Sequence, residues 1–222
     1  MAQIVIENLN KTYSIGDEKI RAVDGVSLSI NKGEFPTILG HSGSGKTTLL
    51  SIIGGLVKPT SGRIMFEGTD IWSLNKNDIC EYRSEKVGFV CQFACLLPTL
   101  TVKENLLLPG VFRPMKEVNR EKKAIEFLDM IGLLDKTNHY PSQLSGGQQR
   151  RVVIARALMN DPEIIVADEP TGDLDEATEA GVMKLFKKIN RENDITIIMV
   201  THSRELASQT GRIILLSKGK TV

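Results

Sequence analysis

A glycine-rich run with a single lysine constrains this chain more than any other segment. Residues 40–48 read Gly-His-Ser-Gly-Ser-Gly-Lys-Thr-Thr, between an apolar run at 35–39 and a run with helical spacing. A strand, a glycine-rich loop and a helix in this order form a phosphate-binding loop, where backbone N–H groups and the helix dipole converge on an anion. The sequence therefore predicts an α/β core, a P-loop fold with a mostly parallel sheet, that binds a nucleoside triphosphate.

Two residues of this loop carry the strongest chemistry. Lys46 supplies a full positive charge for the β- and γ-phosphates, and the Thr47 hydroxyl is a hard oxygen ligand for Mg²⁺. We expect the entire loop to contact the nucleotide. The predicted contact residues are Gly40, His41, Ser42, Gly43, Ser44, Gly45, Lys46, Thr47 and Thr48.

The composition limits the other classes of function. The chain has 222 residues, enough for one large domain, and its net charge of +1 gives no basic field for nucleic acid. Its three cysteines form no paired framework, which indicates a reducing compartment. No apolar window is long enough to span a membrane, and the N-terminus has no apolar signal segment. We therefore expect a cytoplasmic protein.

Short apolar runs predict the strands of the core. Strands at 4–6, 26–30 and 62–66, separated by tight turns, favour an antiparallel patch at the N-terminus. Continuous apolar runs predict buried parallel strands at 87–90, 164–167, 195–200 and 213–216. Pro36 has no backbone N–H to donate, so we expect it at an edge strand or at a strand end.

The middle of the chain has helical patterns but no convincing strand. Apolar residues between 124 and 131 recur at helical spacing and stop before Gly132, which predicts an amphipathic helix. We predict one domain over 1–222, with a nucleotide-binding core of 1–91 and 159–222. The inserted helical subdomain would be 92–158.

Two further motifs point to phosphate chemistry. The run Leu144, Ser145, Gly146, Gly147 and Gln148 opens a helical segment, where adjacent glycines leave N–H groups approachable. By itself this run is equally well an ordinary helix cap. Asp168 and Glu169 follow the predicted strand at 164–167, at the end where ligands sit in open α/β sheets. There Asp168 could organise Mg²⁺ through its water shell, and Glu169 could polarise an attacking water.

Together these segments resemble the ATP-binding subunits of ABC transporters over essentially the whole chain. The resemblance identifies 40–48 as the Walker A loop, 144–148 as the signature motif and 164–169 as the Walker B strand with its catalytic glutamate. It further implies a role for residues elsewhere in the chain. These are the adenine-stacking Tyr13, the Q-loop Gln92, which would link the γ-phosphate and Mg²⁺ to the neighbouring loop, the switch histidine His202, and the D-loop residues Asp173, Leu174 and Asp175.

The resemblance also implies an activity and partners. It implies ATP hydrolysis with Mg²⁺ by an ATP-dependent homodimer, in which Ser145 would serve the ATP held by the other subunit. Integral-membrane permease subunits would be the partners, with this subunit peripheral on the inner face of the cell membrane and no nucleic acid bound. Residues 24–27, 54–62, 83–90 and 170–172 are similar to the lipoprotein-release and macrolide-export branch. The alternative is an ABC-type ATPase that transmits force to a membrane partner without transport. Its motifs are identical, so only the partner distinguishes the two functions.

Several of these residues have plainer interpretations. Tyr13 could simply pack, and Gln92 could be a surface amide. Cys91 and Cys95 flank Gln92, but two thiols without a second pair are a weak metal signal, so we expect ordinary packing or exposure. This segment departs from the branch at the place where the resemblance implies contact with a permease. For Arg150 and its neighbour Arg151, a solvated helix face is the default expectation.

Overall fold

The computed structural model describes residues 2–112, 117–172 and 174–222. Its N-terminal part is an antiparallel sheet of β1 (Ala2–Ile15), β2 (Glu18–Asn31), β4 (Ser61–Phe66) and β5 (Thr69–Asp70). The strand order is β2-β1-β4-β5. The predicted antiparallel patch is therefore confirmed, although β1 and β2 form a much longer hairpin than the short apolar runs indicated.

The second sheet is the core of the fold. It contains β3 (Pro36–Leu39), β6 (Val87–Val90), β7 (Ile164–Asp168), β8 (Thr196–Thr201), β9 (Arg212–Ser217) and β10 (Lys220–Thr221). The order is β10-β9-β3-β8-β7-β6, and only β10 runs antiparallel to its neighbour. All four parallel strands predicted from apolar runs are present, and three of them are buried as expected. The fourth, β9, exposes Ile213 and Leu215, so its predicted burial is wrong on that face.

Pro36 begins β3, which lies between β8 and β9. Of the two predicted positions, an edge strand or a strand end, the structure has the strand end. A proline is tolerated at the first residue of an inner strand because its missing N–H interrupts the ladder only at the terminus.

The helices between β6 and β7 bear out the absence of strands there, within the described ranges 2–112 and 117–172. The α-helices of the described residues are α1 (Lys46–Ile53), α2 (Lys76–Glu81), α3 (Val102–Leu107), α4 (Glu117–Met130), α5 (Gly146–Leu158), α6 (Glu176–Asn193) and α7 (Arg204–Ser208). The predicted amphipathic helix corresponds to α4, and Gly132 follows it with φ of +67°. Among the residues described, no helix has the length and apolarity to cross a membrane.

The central sheet separates two apolar cores because successive side chains of a strand point to opposite faces. Ile165 and Ala167 of β7 belong to one apolar cluster with residues of α3, α4, α5 and α6, whereas Ile164 and Val166 belong to a second cluster with residues of α1 and the N-terminal sheet. All four side chains are buried. This burial on both faces fixes the carboxyl ends of β3, β7 and β8, where the functional side chains emerge.

Candidate functional site

The phosphate loop connects β3 to α1 with the geometry its glycines permit. Gly45 immediately precedes α1 and has φ of +100°, a conformation that only glycine adopts readily. A Cβ atom there would lie 2.0 Å from the Ala22 carbonyl oxygen of β2. The backbone of the antiparallel sheet therefore approaches the loop so closely that no other residue fits at 45.

Lys46 is buried at the start of α1 and points its ammonium back into the loop. Its Nζ donates hydrogen bonds of 2.8 Å to the Gly40 oxygen and 3.0 Å to the His41 oxygen. The same Nζ lies 4.0 Å from Glu169 Oε1. The cation is thus held over the loop, next to the carboxylate that follows β7. His41 is exposed.

Asp168 ends β7 beside the Thr47 hydroxyl. Burial raises the pKa of Asp168, while a side-chain hydrogen bond with Thr47 opposes that rise. Its Oδ1 is buried and has no hydrogen-bond partner within the described part of the chain. The Asp168 carboxylate and the Thr47 hydroxyl both supply hard oxygen ligands, and one carboxylate oxygen is buried without a hydrogen-bond donor among the described residues. Such a pair fits Mg²⁺.

Glu169 adopts a positive φ of 42°, which turns its side chain away from the direction of the strand. Its Oε2 accepts a hydrogen bond of 2.9 Å from the Thr201 hydroxyl, and its Oε1 lies 2.9 Å from His202 Nδ1. The carboxylate is mostly buried, whereas the His202 side chain is 70% exposed. Three neighbours, Lys46 included, therefore define the position of this carboxylate.

An open cleft of about 930 Å³ surrounds these groups. Tyr13 lies at one side of it, 37% exposed, with Lys11 Nζ 5.0 Å from the ring centroid. Gln92, just after β6, also faces the cleft and is exposed. The structure brings together twelve of the sequence-predicted residues along this lining: Tyr13, His41, Ser42, Gly43, Gly45, Lys46, Thr47, Thr48, Gln92, Glu169, Leu174 and His202.

The signature motif lies elsewhere. Ser145 is the N-cap of α5, where its hydroxyl accepts from the Gln148 N–H and the Gln148 side chain accepts from the Ser145 N–H. Ser145 and Gly146 are exposed. Of the described residues that line the cleft, none belongs to 144–148. The ordinary helix cap is therefore present. The exposed start of α5 does not contribute to the lining of the cleft in its own chain.

The D-loop is described only in part. Asp173 falls outside the described residues. Leu174 lines the cleft, and Asp175 caps α6 by accepting from the Thr178 N–H at 3.0 Å. Hydrogen bonds from Thr178 hold the pKa of Asp175 below its ordinary value. Thr178 also packs against the signature motif. A Cβ atom on Gly147 would lie 2.2 Å from Thr178 Cγ2.

The solvated position expected for Arg150 is wrong. Its side chain is only 5% exposed and donates hydrogen bonds of 2.6 Å to the backbone oxygens of Cys91 and Gln92. Arg151 is half-buried and donates to the Ile131 oxygen at 2.7 Å. The apolar pattern of α5 does not predict the burial of Arg150, because its acceptors are backbone oxygens of a loop far away in sequence.

Sequence reasoning also missed Thr201 and the strand residues opposite Tyr13. Thr201 is completely buried at the end of β8, and Ile20 of β2 pairs with Tyr13 and lines the cleft. The signal for Ile20 was the β1–β2 hairpin, whose register places these two residues side by side. For Thr201 no local pattern distinguishes it from any other strand residue.

The ABC transporter family matches residues 23–172. This chain belongs to that family. It is an ATP-binding and ATP-hydrolysing subunit of an ABC transporter.

Individual relatives agree with the predicted branch. A lipoprotein-releasing system ATP-binding protein of Legionella pneumophila is 42% identical over 96% of this chain and 94% of its own length. A macrolide export ATP-binding/permease protein of Rhodopirellula baltica is 40% identical over 97% of this chain, which covers 32% of that longer protein. The resemblance of this ABC ATPase to the lipoprotein-release and macrolide-export branch is confirmed.

A solved structure supports the same fold for this ABC ATPase. The ATP-binding cassette of Methanocaldococcus jannaschii, a dimer in a post-hydrolysis state bound to ADP and Pi, superposes with a TM-score of 0.90. The two sequences are 44% identical, over 98% of this chain and 96% of the other. The P-loop fold expected from residues 40–48 is therefore confirmed.

Proposed function

We propose that two copies of this ABC ATPase close head to tail around ATP, and that each site joins the cleft of one subunit to the signature motif of the other. The observation that carries this proposal is the placement of Ser145 and Gly146 at an exposed helix end outside the cleft of their own chain. The archaeal relative is a dimer in its solved structure, which supports the same arrangement. In the closed pair, the phosphates would lie between the phosphate loop of one subunit and the signature motif of the other. Both present backbone N–H groups at a helix start, and such groups bind anions.

Within the cleft, each group has a proposed role in binding. The phosphate loop and Lys46 hold the β- and γ-phosphates, and the Tyr13 ring stacks on adenine, an interaction worth about 1–3 kcal/mol per base. Thr47, Asp168 and Gln92 would hold Mg²⁺, with Asp168 acting through water. The metal would neutralise charge on the phosphate oxygens during transfer.

Hydrolysis is assigned to the carboxylate of Glu169. Its two hydrogen-bond partners, Thr201 and His202, fix the oxygens in space, so the carboxylate can accept a proton from a water at a defined position. His202 is exposed on the cleft side, where its imidazole can also bond to phosphate. The D-loop residues Leu174 and Asp175 lie between this site and the signature helix, and with Asp173 we assign them to communication between the two sites.

The chain is proposed to divide into two working parts. Residues 1–91 and 159–222 bind the nucleotide, and the helical subdomain of 92–158 carries the signature motif. Arg150 connects the two parts, because it donates from the signature helix to the backbone oxygens of Cys91 and Gln92, on the two sides of the boundary. Movement of α5 would therefore be transmitted to Gln92.

Integral-membrane permease subunits are the proposed partners, with the ATPase peripheral on the inner face of the cell membrane. A groove of about 690 Å³ lies at the junction of the two parts, and Arg83, Phe89 and Arg156 contribute to its lining. It lies next to the segment 91–98, where Phe93 is 71% exposed. We assign this groove to a cytoplasmic segment of the permease. Force transmission without transport is not favoured, since the relatives include release and export systems.

Replacing Glu169 by Gln tests the proposed function. The amide keeps the shape of the side chain but cannot accept the proton, so we expect ATP binding to persist while the hydrolysis rate falls roughly 10²–10⁴-fold. The stalled protein should accumulate as an ATP-bound dimer in size-exclusion chromatography. Ser145→Arg in the same background should abolish that dimer while monomeric ATP binding remains. A dimer that forms equally well with Ser145→Arg would contradict the arrangement in trans.

A further inference from the structure

Lys11 and Tyr13 lie two residues apart on β1, so their side chains share one face of the N-terminal sheet. The Lys11 Nζ lies over the Tyr13 ring, 5.0 Å from the ring centroid. A cation within about 6 Å of the centroid is attracted to the negative face of an aromatic ring. The two side chains therefore form a cation–π pair.

A hydrogen bond fixes the ammonium of this pair. The Lys11 Nζ donates to the Lys58 backbone oxygen at 2.8 Å, in the segment that connects α1 to β4. Lys11 is half-buried, so part of its long side chain is covered by neighbouring residues. Because the ammonium is held by a carbonyl oxygen of another segment, its position does not depend on the ring alone.

The ammonium approaches the Tyr13 ring from outside the nucleotide cleft. Tyr13 and its cross-strand neighbour Ile20 line the cleft. Neither Lys11 nor Lys58 is among the described residues of that lining. The lysine therefore leaves the cleft side of the ring open to a base.

We propose that Lys11 is a positioning residue for the nucleotide base, which holds the Tyr13 ring in the orientation on which adenine stacks. This inference rests on the proposed role of Tyr13 as the adenine platform. The Tyr13 side chain is 37% exposed, and a ring that nothing held would lose rotational freedom when a base stacks on it. A ring that Lys11 already holds loses less, so binding is tighter.

The charge of Lys11 acts in the same direction. The face of an aromatic ring is negative, and two such faces repel one another when they stack directly. An ammonium on one face draws the π electrons toward itself, which reduces the repulsion that the opposite face exerts on a base. Both effects concern the base and not the phosphates, which Lys46 and its loop are proposed to hold.

The experiment compares a ligand that has a base with one that has none. Isothermal titration of the full chain measures the Kd of ATP and of inorganic tripolyphosphate, each with Mg²⁺. The variants are Lys11→Met, which keeps the length of the side chain but removes the charge, Lys11→Arg, which keeps a cation and a donor, Tyr13→Leu, and Lys11→Met combined with Tyr13→Leu. Lys19→Met is the matched control, since Lys19 is exposed on β2 and points to the opposite face from Ile20.

Lys11→Met should raise the Kd of ATP about 2- to 5-fold and leave the Kd of tripolyphosphate unchanged. In steady-state kinetics KM should rise while kcat is kept, because the chemical step does not involve the base. Lys11→Arg and Lys19→Met should both bind ATP as the wild type does. With Tyr13→Leu already present, Lys11→Met should have no further effect, because the ring on which it acts is gone.

The variants distinguish a failure of this inference from a failure of the proposed function. If Tyr13→Leu binds ATP with wild-type affinity, the adenine platform is wrong and the role of Lys11 falls with it. If Tyr13→Leu weakens ATP binding and Lys11→Met does not, only the role of Lys11 is overturned. An equal loss of tripolyphosphate affinity in Lys11→Met would also overturn it, and so would an equal effect of Lys11→Met with and without the Tyr13 ring.

Discussion

The buried hydroxyl of Thr201 donates a hydrogen bond to Glu169 Oε2 at 2.9 Å, and the oxygen of the same hydroxyl accepts one from the Ser203 N–H at 3.1 Å. The backbone N–H occupies an acceptor position of the hydroxyl, which directs the hydroxyl proton to the carboxylate. This pairing joins the end of β8, just before His202, to the end of β7, just before the proposed base Glu169. The hydrogen bond therefore orients the carboxylate of the proposed base.

Thr201→Val should slow hydrolysis while ATP binding is kept. Valine has the shape of threonine but cannot donate, and a hydrogen bond to a charged group contributes about 1.5–3 kcal/mol. If that contribution is lost in the transition state, kcat falls roughly 10- to 100-fold with little change in KM. Thr201→Ser restores the donor and should recover most of the rate. Equal loss in both variants would show that packing at 201, and not the hydrogen bond, matters.

Arg150→Met and Arg151→Met should separate stability from activity. Each replacement removes a buried or half-buried guanidinium that satisfies backbone carbonyls, at a cost of about 1–3 kcal/mol for each acceptor left without a donor. Denaturant unfolding should show both variants less stable. Only Arg150→Met should also lower the ATPase rate, because its acceptors include the Gln92 oxygen, whereas Arg151 bonds to Ile131. A similar ATPase loss in both variants would contradict the coupling through Arg150.

Asp175→Ala should destabilise the protein in a pH-dependent manner. The pKa of Asp175 is lowered in the fold, so its ionised form contributes stability above the ordinary pKa of 3.8, and this contribution is lost as the pH falls through the lowered pKa. The difference in Tm between variant and wild type should therefore be largest near neutral pH and shrink in acid. Ser203→Ala, which removes the uncharged cap of α7, is the matched control. Its Tm deficit should not depend on pH.

Lys46→Ala should abolish tight ATP binding and turnover. Lys46 is the cation that the phosphate loop holds over its own backbone oxygens, and charged hydrogen bonds to phosphate are worth about 1.5–3 kcal/mol each. Lys188→Ala is the control, since Lys188 is an exposed residue of α6 with a weak pair to Glu192. Isothermal titration with ATP should show no change for the control. Wild-type affinity in Lys46→Ala would contradict the assignment of the phosphate loop.

Local motifs made much of this site predictable. The phosphate loop, the acidic pair at 168–169 and the signature motif are each contiguous, so their geometry follows from a strand end, a helix start and a few glycines. The buried parallel strands β6, β7 and β8 were predictable as well, because burial on both faces demands continuous apolar runs. The length of the β1–β2 hairpin was not, since its polar outer residues carry no apolar signal.

The sequence by itself determined the family, the nucleotide chemistry and most of the cleft residues. The tertiary structure decided which distant groups meet. Thr201 reaches Glu169 because β7 and β8 pair with Asp168 opposite Val200, and Arg150 reaches Gln92 because α5 packs beside the end of β6. Such contacts depend on sheet register and helix packing, which follow from the free energy of the whole core and not from any short run of residues.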